Sequence, residues 1–430
     1  MILWIAAMLP LAVCLFVKSG AARLCLILAM ALLVFQTTEG LSAPKICFFT
    51  MIVAVLGMEA MRGKLAISRA TAVASIVLVL LTVASLIRGN SPVITLRDSS
   101  NYLLLLTIEP LSTHFGRRLS SRTVRRLSIA IGVAAAYSFT ATWSGKRNLG
   151  SLPEIGMSSS VLFGFVVAMA SAIAVTSSKS RRWWTLAAVL ITAGVLTGTR
   201  NLLLLLLPPI IIAIYVHRIT VGSERAKARR AIRRAVAVFP VVCVVVLAAS
   251  VALSLDVSGA LSRIATVGNL SQNGASNSLV ERQIQQAIAW KSIVSSPIIG
   301  SGPGTLWQIY RPTSNDTVTG FTMDTSLVVF AKWGLVGGLA LLGLLWCWWR
   351  KLRPNRARLN IWSLTALGLF PFFFAQSMLS AQIEDRGLPI ALLLLGVGRL
   401  SHMREEREIE QLIAEEALYA SAPRVPMGVG

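Results

Sequence analysis

Residues 158–176 read Ser-Ser-Ser-Val-Leu-Phe-Gly-Phe-Val-Val-Ala-Met-Ala-Ser-Ala-Ile-Ala-Val-Thr, without a single charge. Coiled as a helix, a run of this length approaches the ~30 Å thickness of a bilayer's hydrocarbon core. In lipid every backbone N–H and C=O needs an internal partner, so such a run must be helical. Comparable blocks recur at 2–17, 22–36, 46–60, 71–87, 101–116, 127–143, 183–198, 201–216, 235–255, 324–348, 361–381 and 388–398. The pattern predicts an all-α polytopic membrane protein with about 12–13 transmembrane helices. Composition agrees: the chain of 430 residues is 55% hydrophobic and 14% charged, where a soluble domain carries about 25% charged residues. Glu109, Pro110 and His114 interrupt the block at 101–116, and the block at 388–398 is short.

The net charge of +23 does not indicate nucleic acid, because no basic face interleaves with aromatics. Basic residues fall instead in short loops between apolar blocks, where they act as topology signals and contacts to anionic headgroups. Most of the 41 lie on alternate loops: Lys18 and Arg23, Arg62 to Arg69, Arg117 to Arg126, Lys179 to Arg182, Arg218 to Arg234, Arg350 to Arg358, and the tail. The positive-inside rule puts those loops and the C-terminus in the cytoplasm and the N-terminus outside. The block at 2–17 has no basic stretch before it and no small-residue cleavage site after it, so it reads as a retained span. All 5 cysteines lie within apolar blocks, where they act as small hydrophobes, and no Cys/His spacing suits zinc.

Four regions follow. Residues 1–255 form the first part of the helical bundle, 256–323 a large extracytoplasmic loop with short helices, 324–398 the last spans, and 399–430 a cytoplasmic tail. A connection of roughly 68 residues at a membrane surface is a small domain or a functional lid. Within it Ser278-Leu279-Val280-Glu281 reads as a capping box that starts a helix. The run Ser296-Pro297-Ile298-Ile299-Gly300-Ser301-Gly302-Pro303-Gly304 ends that helix in turns. The tail after Arg399 reads as a short solvated helix followed by a disordered end.

An ionisable group in or beside a span is costly and calls for a reason. Arg200, in the turn Thr197-Gly198-Thr199-Arg200-Asn201, either grips a phosphate with its bidentate fork or anchors the turn to headgroups. Arg282, on the loop helix, is either a second phosphate ligand or part of a solvated face. Asp324, where the chain re-enters the membrane, reads as a general base for a sugar hydroxyl or as the N-cap of the next helix, two compatible roles. Lys332 pairs with an acid or phosphate, or snorkels outward. Arg386, beside Glu384 and Asp385, lines a site or is merely wet; Arg311, in the large loop, is a further candidate.

Three segments, in order, resemble the O-antigen ligase and polymerase family of bacterial envelope glycosyltransferases. Thr197-Gly198-Thr199-Arg200 is similar to that family's Thr-Gly-Ser-Arg-Gly turn after a span. Glu281-Arg282, Ala289-Trp290 and the Ser296–Gly304 run are similar to its arginine helix and following Gly-x-Gly-x-Gly. Asp324-Thr325-Ser326-Leu327 with Gly334-Leu335-Val336-Gly337 is similar to its re-entry pattern. The resemblance covers roughly residues 185–345.

That resemblance implies an enzyme of the bacterial cytoplasmic membrane, with its active site outside, that needs neither cofactor nor metal. It implies that Arg200 and Arg282 bind the pyrophosphate of an undecaprenyl-pyrophosphate-linked glycan donor and that Asp324 activates the hydroxyl of a glycan or lipid-linked acceptor. Ligases place histidine where Asp324 stands, which favours a polymerase of repeat units, served by a flippase and a chain-length regulator. The alternatives are a ligase that transfers the finished glycan to lipid or protein, and more distantly a lipid-linked-sugar flippase.

Overall fold

The computed structural model describes residues 13–14, 16–34, 43–146, 159–177, 180–197, 200–220, 222–252, 273–311, 315–320, 322–354, 360–378 and 384–421. Most of the expected span at 2–17 lies outside them. The described residues form 13 α-helices, which we number in chain order: α1 (Gly20–Val34), α2 (Ala43–Met61), α3 (Arg69–Ile87), α4 (Pro92–Gly116), α5 (Ser121–Lys146), α6 (Ser160–Thr176), α7 (Ser180–Leu196), α8 (Leu207–Ile219), α9 (Gly222–Ala252), α10 (Asn273–Ser295), α11 (Val328–Leu352), α12 (Ile361–Ser377) and α13 (Gly387–Ser421). Three helical stretches are long and apolar enough to cross a membrane by length and composition: Arg69–Ile87, Leu202–Ile219 and Val328–Leu352.

Helix α6, the stretch quoted at the outset, is the hub. Ser159 caps it by accepting from the Leu162 N–H (3.1 Å). Every residue from Ser160 to Ala174 is buried, and α5, α7, α8, α9, α12 and α13 all pack on it. A helix apolar on every side is either surrounded by protein or faces lipid, and α6 is surrounded by protein. Its alanines, with Ser171 and Gly164, let neighbouring helices approach closely.

Helix α4 runs unbroken through Pro110, so the polar residues at 109–114 do not end it. Glu109 instead ties three helices at one end of the bundle. It accepts from Ser68 N–H (3.0 Å) and from the hydroxyls of Ser68 (2.6 Å) and Thr71 (2.5 Å), and it pairs with Lys351.

Helix α11 is interrupted at Gly334 (φ +63°), and the Pro297–Gly302 segment is threaded into the break. Ser301 and Gly302 N–H donate to the carbonyls of Ala331 and Lys332 (both 2.9 Å), and Leu335 and Val336 N–H donate to those of Pro297 (2.8 Å) and Ile298 (3.1 Å). The crossing is too tight for side chains. A Cβ on Gly300 would lie 2.3 Å from the Lys332 carbonyl oxygen, and one on Gly334 2.3 Å from that of Ile298.

Among the described residues, the segment expected as the outer loop holds α10, of 23 residues, followed by an antiparallel hairpin, β1 (Trp307–Arg311) and β2 (Asp316–Gly320), with Ile309 opposite Val318. Three expectations need correction. Because α10 starts at Asn273, Ser278 lies inside it and is not its cap. The cap residue of α11 is Leu327, and no side chain caps it, so Asp324 is not its N-cap. Finally, α13 continues from the buried segment after Gly387 to Ser421 in one helix, with no break between last span and tail.

Candidate functional site

The charged centre of the site is Lys332, in the second turn of α11 and wholly buried at 0% exposure. Its Nζ donates to Asp98 Oδ1 of α4 (2.6 Å) and to Glu384 Oε1, just before α13 (2.5 Å). Asp98 Oδ2 also accepts from Gly304 N–H (2.8 Å), while Glu384 accepts from the Tyr102 hydroxyl (2.9 Å) and from Thr322. The ammonium lies 5.9 Å from the Trp307 ring centre on β1. Burying an ammonium is tolerable only with paired countercharge and satisfied hydrogen bonds. Pairing, rather than snorkelling, is therefore what the structure shows for Lys332. The node joins α4, α11, the glycine-rich turn and the 384–386 segment.

Beside it opens a cavity of about 940 Å³. Its polar end carries three cations, Lys45, Arg97 and Arg386, with Asp98, Glu384 and Asp324. Burial pushes the Lys45 ammonium below the usual lysine range, and the charges of Arg386 and Arg97 push the same way. Arg386 is lowered by burial and again by Arg97, while Asp385 pushes the other way. Three cations thus stand close enough to feel one another's charge, with carboxylates in the same lining. Beyond them the walls turn apolar, with Ile46, Phe49 and Val53 along α2 and Leu103, Leu104 and Leu106 along α4. The lining runs along these helices for about 12–16 Å at 1.5 Å per residue.

Asp385 serves a different purpose. It accepts from the hydroxyls of Ser159 (2.6 Å) and Ser160 (3.1 Å) and from Gly387 N–H (2.8 Å), locking the 384–386 turn onto the start of α6. Burial raises its carboxyl above the usual range, against these hydrogen bonds.

The expected site residues divide. Asp324 lines the cavity, half-exposed at 49%, and accepts from Arg282 Nη2 (3.3 Å), while its backbone N–H donates to Gln285. The structure therefore brings Arg282 and Asp324 together from α10 and the segment before α11. Arg386 joins the cation group. Arg311 reaches Glu281 at 3.7 Å. Arg200 opens the 3-10 helix Arg200–Leu206 between α7 and α8; its side chain lies outside the described residues. Sequence reasoning missed Lys45, Arg97 and Asp98. Each stands just ahead of an apolar block, where a charge reads as an ordinary loop residue. The available signal was an Arg-Asp pair separated from a span by only two serines.

No protein-family model matches the chain, and no curated protein matches it.

Proposed function

We propose that the protein is a polytopic glycosyltransferase of the bacterial cytoplasmic membrane that polymerises undecaprenyl-pyrophosphate-linked repeat units on the outer face. The observation that carries this reading is the amphipathic cavity. One end offers three clustered cations to a pyrophosphate, and the other offers an apolar slot between α2 and α4 to a polyprenyl chain. Few ligands other than an anionic headgroup on a long hydrocarbon satisfy both ends.

The sidedness deduced from loop charge fits the contacts. Groups assigned to the outer side meet one another, as Arg88 Nη1 meets the Gly300 carbonyl (2.6 Å) and Asn101, at the start of its span, that of Glu384 (2.8 Å). Groups assigned to the inner side do likewise, as Arg118 meets Glu59 at the end of its span (3.1 Å). Helix α3 exposes Ile76, Leu80 and Ile87, the last at 81%, a face suited to lipid.

In this reading Lys45, Arg97 and Arg386 hold the pyrophosphate. Arg282 orients Asp324, which takes the proton of the acceptor hydroxyl. Arg200 keeps its phosphate role on the resemblance alone. Fixed cations beside a departing pyrophosphate stabilise the charge that develops on it, and they do so best where water is scarce.

The test is a glycan gel from cells lacking the gene, complemented with wild type or Asp324→Ala. Loss of long chains, with single repeat units still reaching their final carrier, supports polymerisation. Accumulation of full-length glycan on undecaprenyl pyrophosphate indicates a ligase. A normal ladder from well-expressed Asp324→Ala excludes the assignment of that residue.

A further inference from the structure

A second hollow, of about 640 Å³, lies under the β1–β2 hairpin. It shares Arg97, Thr322 and Asp324 with the larger cavity, so the two meet at the carboxylate assigned as base. Its character differs. The larger cavity has a long apolar wall, but this one mixes hydrogen-bonding groups, Glu281, Gln285 and Arg311, with small apolar faces, Ile309 and Val318. Planar carboxylates, amides and guanidiniums match vicinal hydroxyls in pairs, and compact apolar faces match the C–H face of a sugar ring. Nothing in the lining offers a slot for a polyprenyl chain.

The hollow is also built rigidly. Ile309 and Val318 face each other across the hairpin. Gln285 Oε1 holds the Asp324 backbone, Arg311 reaches Glu281, and Trp307 at the base of β1 packs over the Lys332 ammonium.

We infer that this hollow is a carbohydrate site that receives the terminal sugar of the acceptor glycan and delivers its hydroxyl to Asp324. The inference rests on the reading of the large cavity as the donor site. In the transfer the acceptor oxygen bonds to the donor's anomeric carbon while the bond from that carbon to the pyrophosphate oxygen breaks. Undecaprenyl pyrophosphate leaves with the electron pair, and the hydroxyl proton passes to the Asp324 carboxylate. The hairpin side chains then choose the acceptor, and the cation cluster holds the donor.

Gly320 provides a clean block. It faces Trp307 across the hairpin, and a Cβ there would meet nothing nearer than 3.5 Å. Gly320→Trp therefore fills the hollow from its wall, while Arg311→Ala removes a ligand at a half-exposed position. The protein is purified in nanodiscs and supplied with undecaprenyl-pyrophosphate-linked repeat units from the host. Native mass spectrometry reads retention of undecaprenyl pyrophosphate, and a gel reads chain growth. Free repeat-unit oligosaccharide, released from its lipid by mild acid, is the competing probe.

The expected result is that both variants retain undecaprenyl pyrophosphate as wild type does and lose chain growth by about tenfold or more. The free oligosaccharide slows wild-type growth without displacing the lipid. Normal growth by both variants, or displacement of undecaprenyl pyrophosphate by the free oligosaccharide, overturns the acceptor site and leaves the donor reading standing. A wild-type protein that neither retains the lipid nor extends chains overturns the donor reading itself. Should Gly320→Trp lose the lipid through misfolding, Arg311→Ala decides alone.

Discussion

Lys332 and Asp98 are 234 positions apart in the chain and 2.6 Å apart in space, a buried ammonium against a buried carboxylate. Glu384 closes the group from a third segment. Removing the cation alone leaves two carboxylates facing each other away from water. Lys332→Met is therefore expected to destabilise the protein by about 3–5 kcal/mol. Adding Asp98→Asn and Glu384→Gln to that variant should restore much of the loss. Thermal unfolding in detergent, followed by size-exclusion fluorescence, reads both; an unchanged melting temperature for Lys332→Met would show that the node carries no such load.

The crossing of the glycine-rich turn through α11 allows no Cβ on either strand. Gly300→Ala would place one 2.3 Å from the Lys332 carbonyl at a positive φ. The expected cost is at least about 2 kcal/mol from clash and backbone strain. Because the turn also presents Gly304 N–H to Asp98, activity should fall with stability. Gly343, which has open space around it, is the control: Gly343→Ala should leave the melting temperature unchanged within error.

Lys45 gives a pH dependence. Burial and its two cationic neighbours depress its pKa in the free protein, and a bound pyrophosphate favours the charged form. Binding therefore takes up a proton between the depressed pKa and the ordinary lysine value. Affinity for the lipid pyrophosphate should weaken as pH rises through that window. Arginine stays charged throughout, so Lys45→Arg should extend the plateau to higher pH. Isothermal titration in two buffers of different ionisation heat reads the proton uptake, and a pH-independent affinity for wild type would count against Lys45 as a ligand.

Much of the helical framework was legible because hydrophobic blocks of span length carry their own signal. The region around α6 is the clearest case: an uncharged stretch buried on every side. The break in α11 was half legible, since the glycines at 300, 302 and 304 and the pair Gly334 and Gly337 were visible but not their interlock. The hairpin stayed hidden because two five-residue strands give too little periodicity to stand out in a loop. The Lys332 node was hidden for a different reason. Its partners lie 234 and 52 residues away, and a lone lysine in a span gives no indication of which acid meets it. Arg282 and Asp324 were chosen individually by motif, and their pairing needed the fold of α10 against the re-entering segment.

Asp324 and the cation cluster are assigned separable jobs. Asp324→Asn should abolish chain growth, a loss of about 10²–10⁴ for removal of a general base, while lipid binding stays within about twofold. Arg386→Gln should show the reverse order, with weakened binding first. Single-turnover extension assays beside binding curves separate the two, and a parallel loss of binding in Asp324→Asn would mean that the carboxylate has another role.

The most direct measurement is competitive native mass spectrometry of the purified protein with undecaprenyl pyrophosphate and undecaprenol in equal amounts. Wild type should retain the pyrophosphate lipid in preference to the alcohol by about tenfold or more, the worth of at least one charge-assisted contact. The triple variant Lys45→Ala, Arg97→Ala, Arg386→Ala should lose that preference while still binding both lipids weakly through the apolar wall. Equal retention of the two lipids by wild type, or an undiminished preference in the triple variant, would contradict the assignment of this cavity as the donor site.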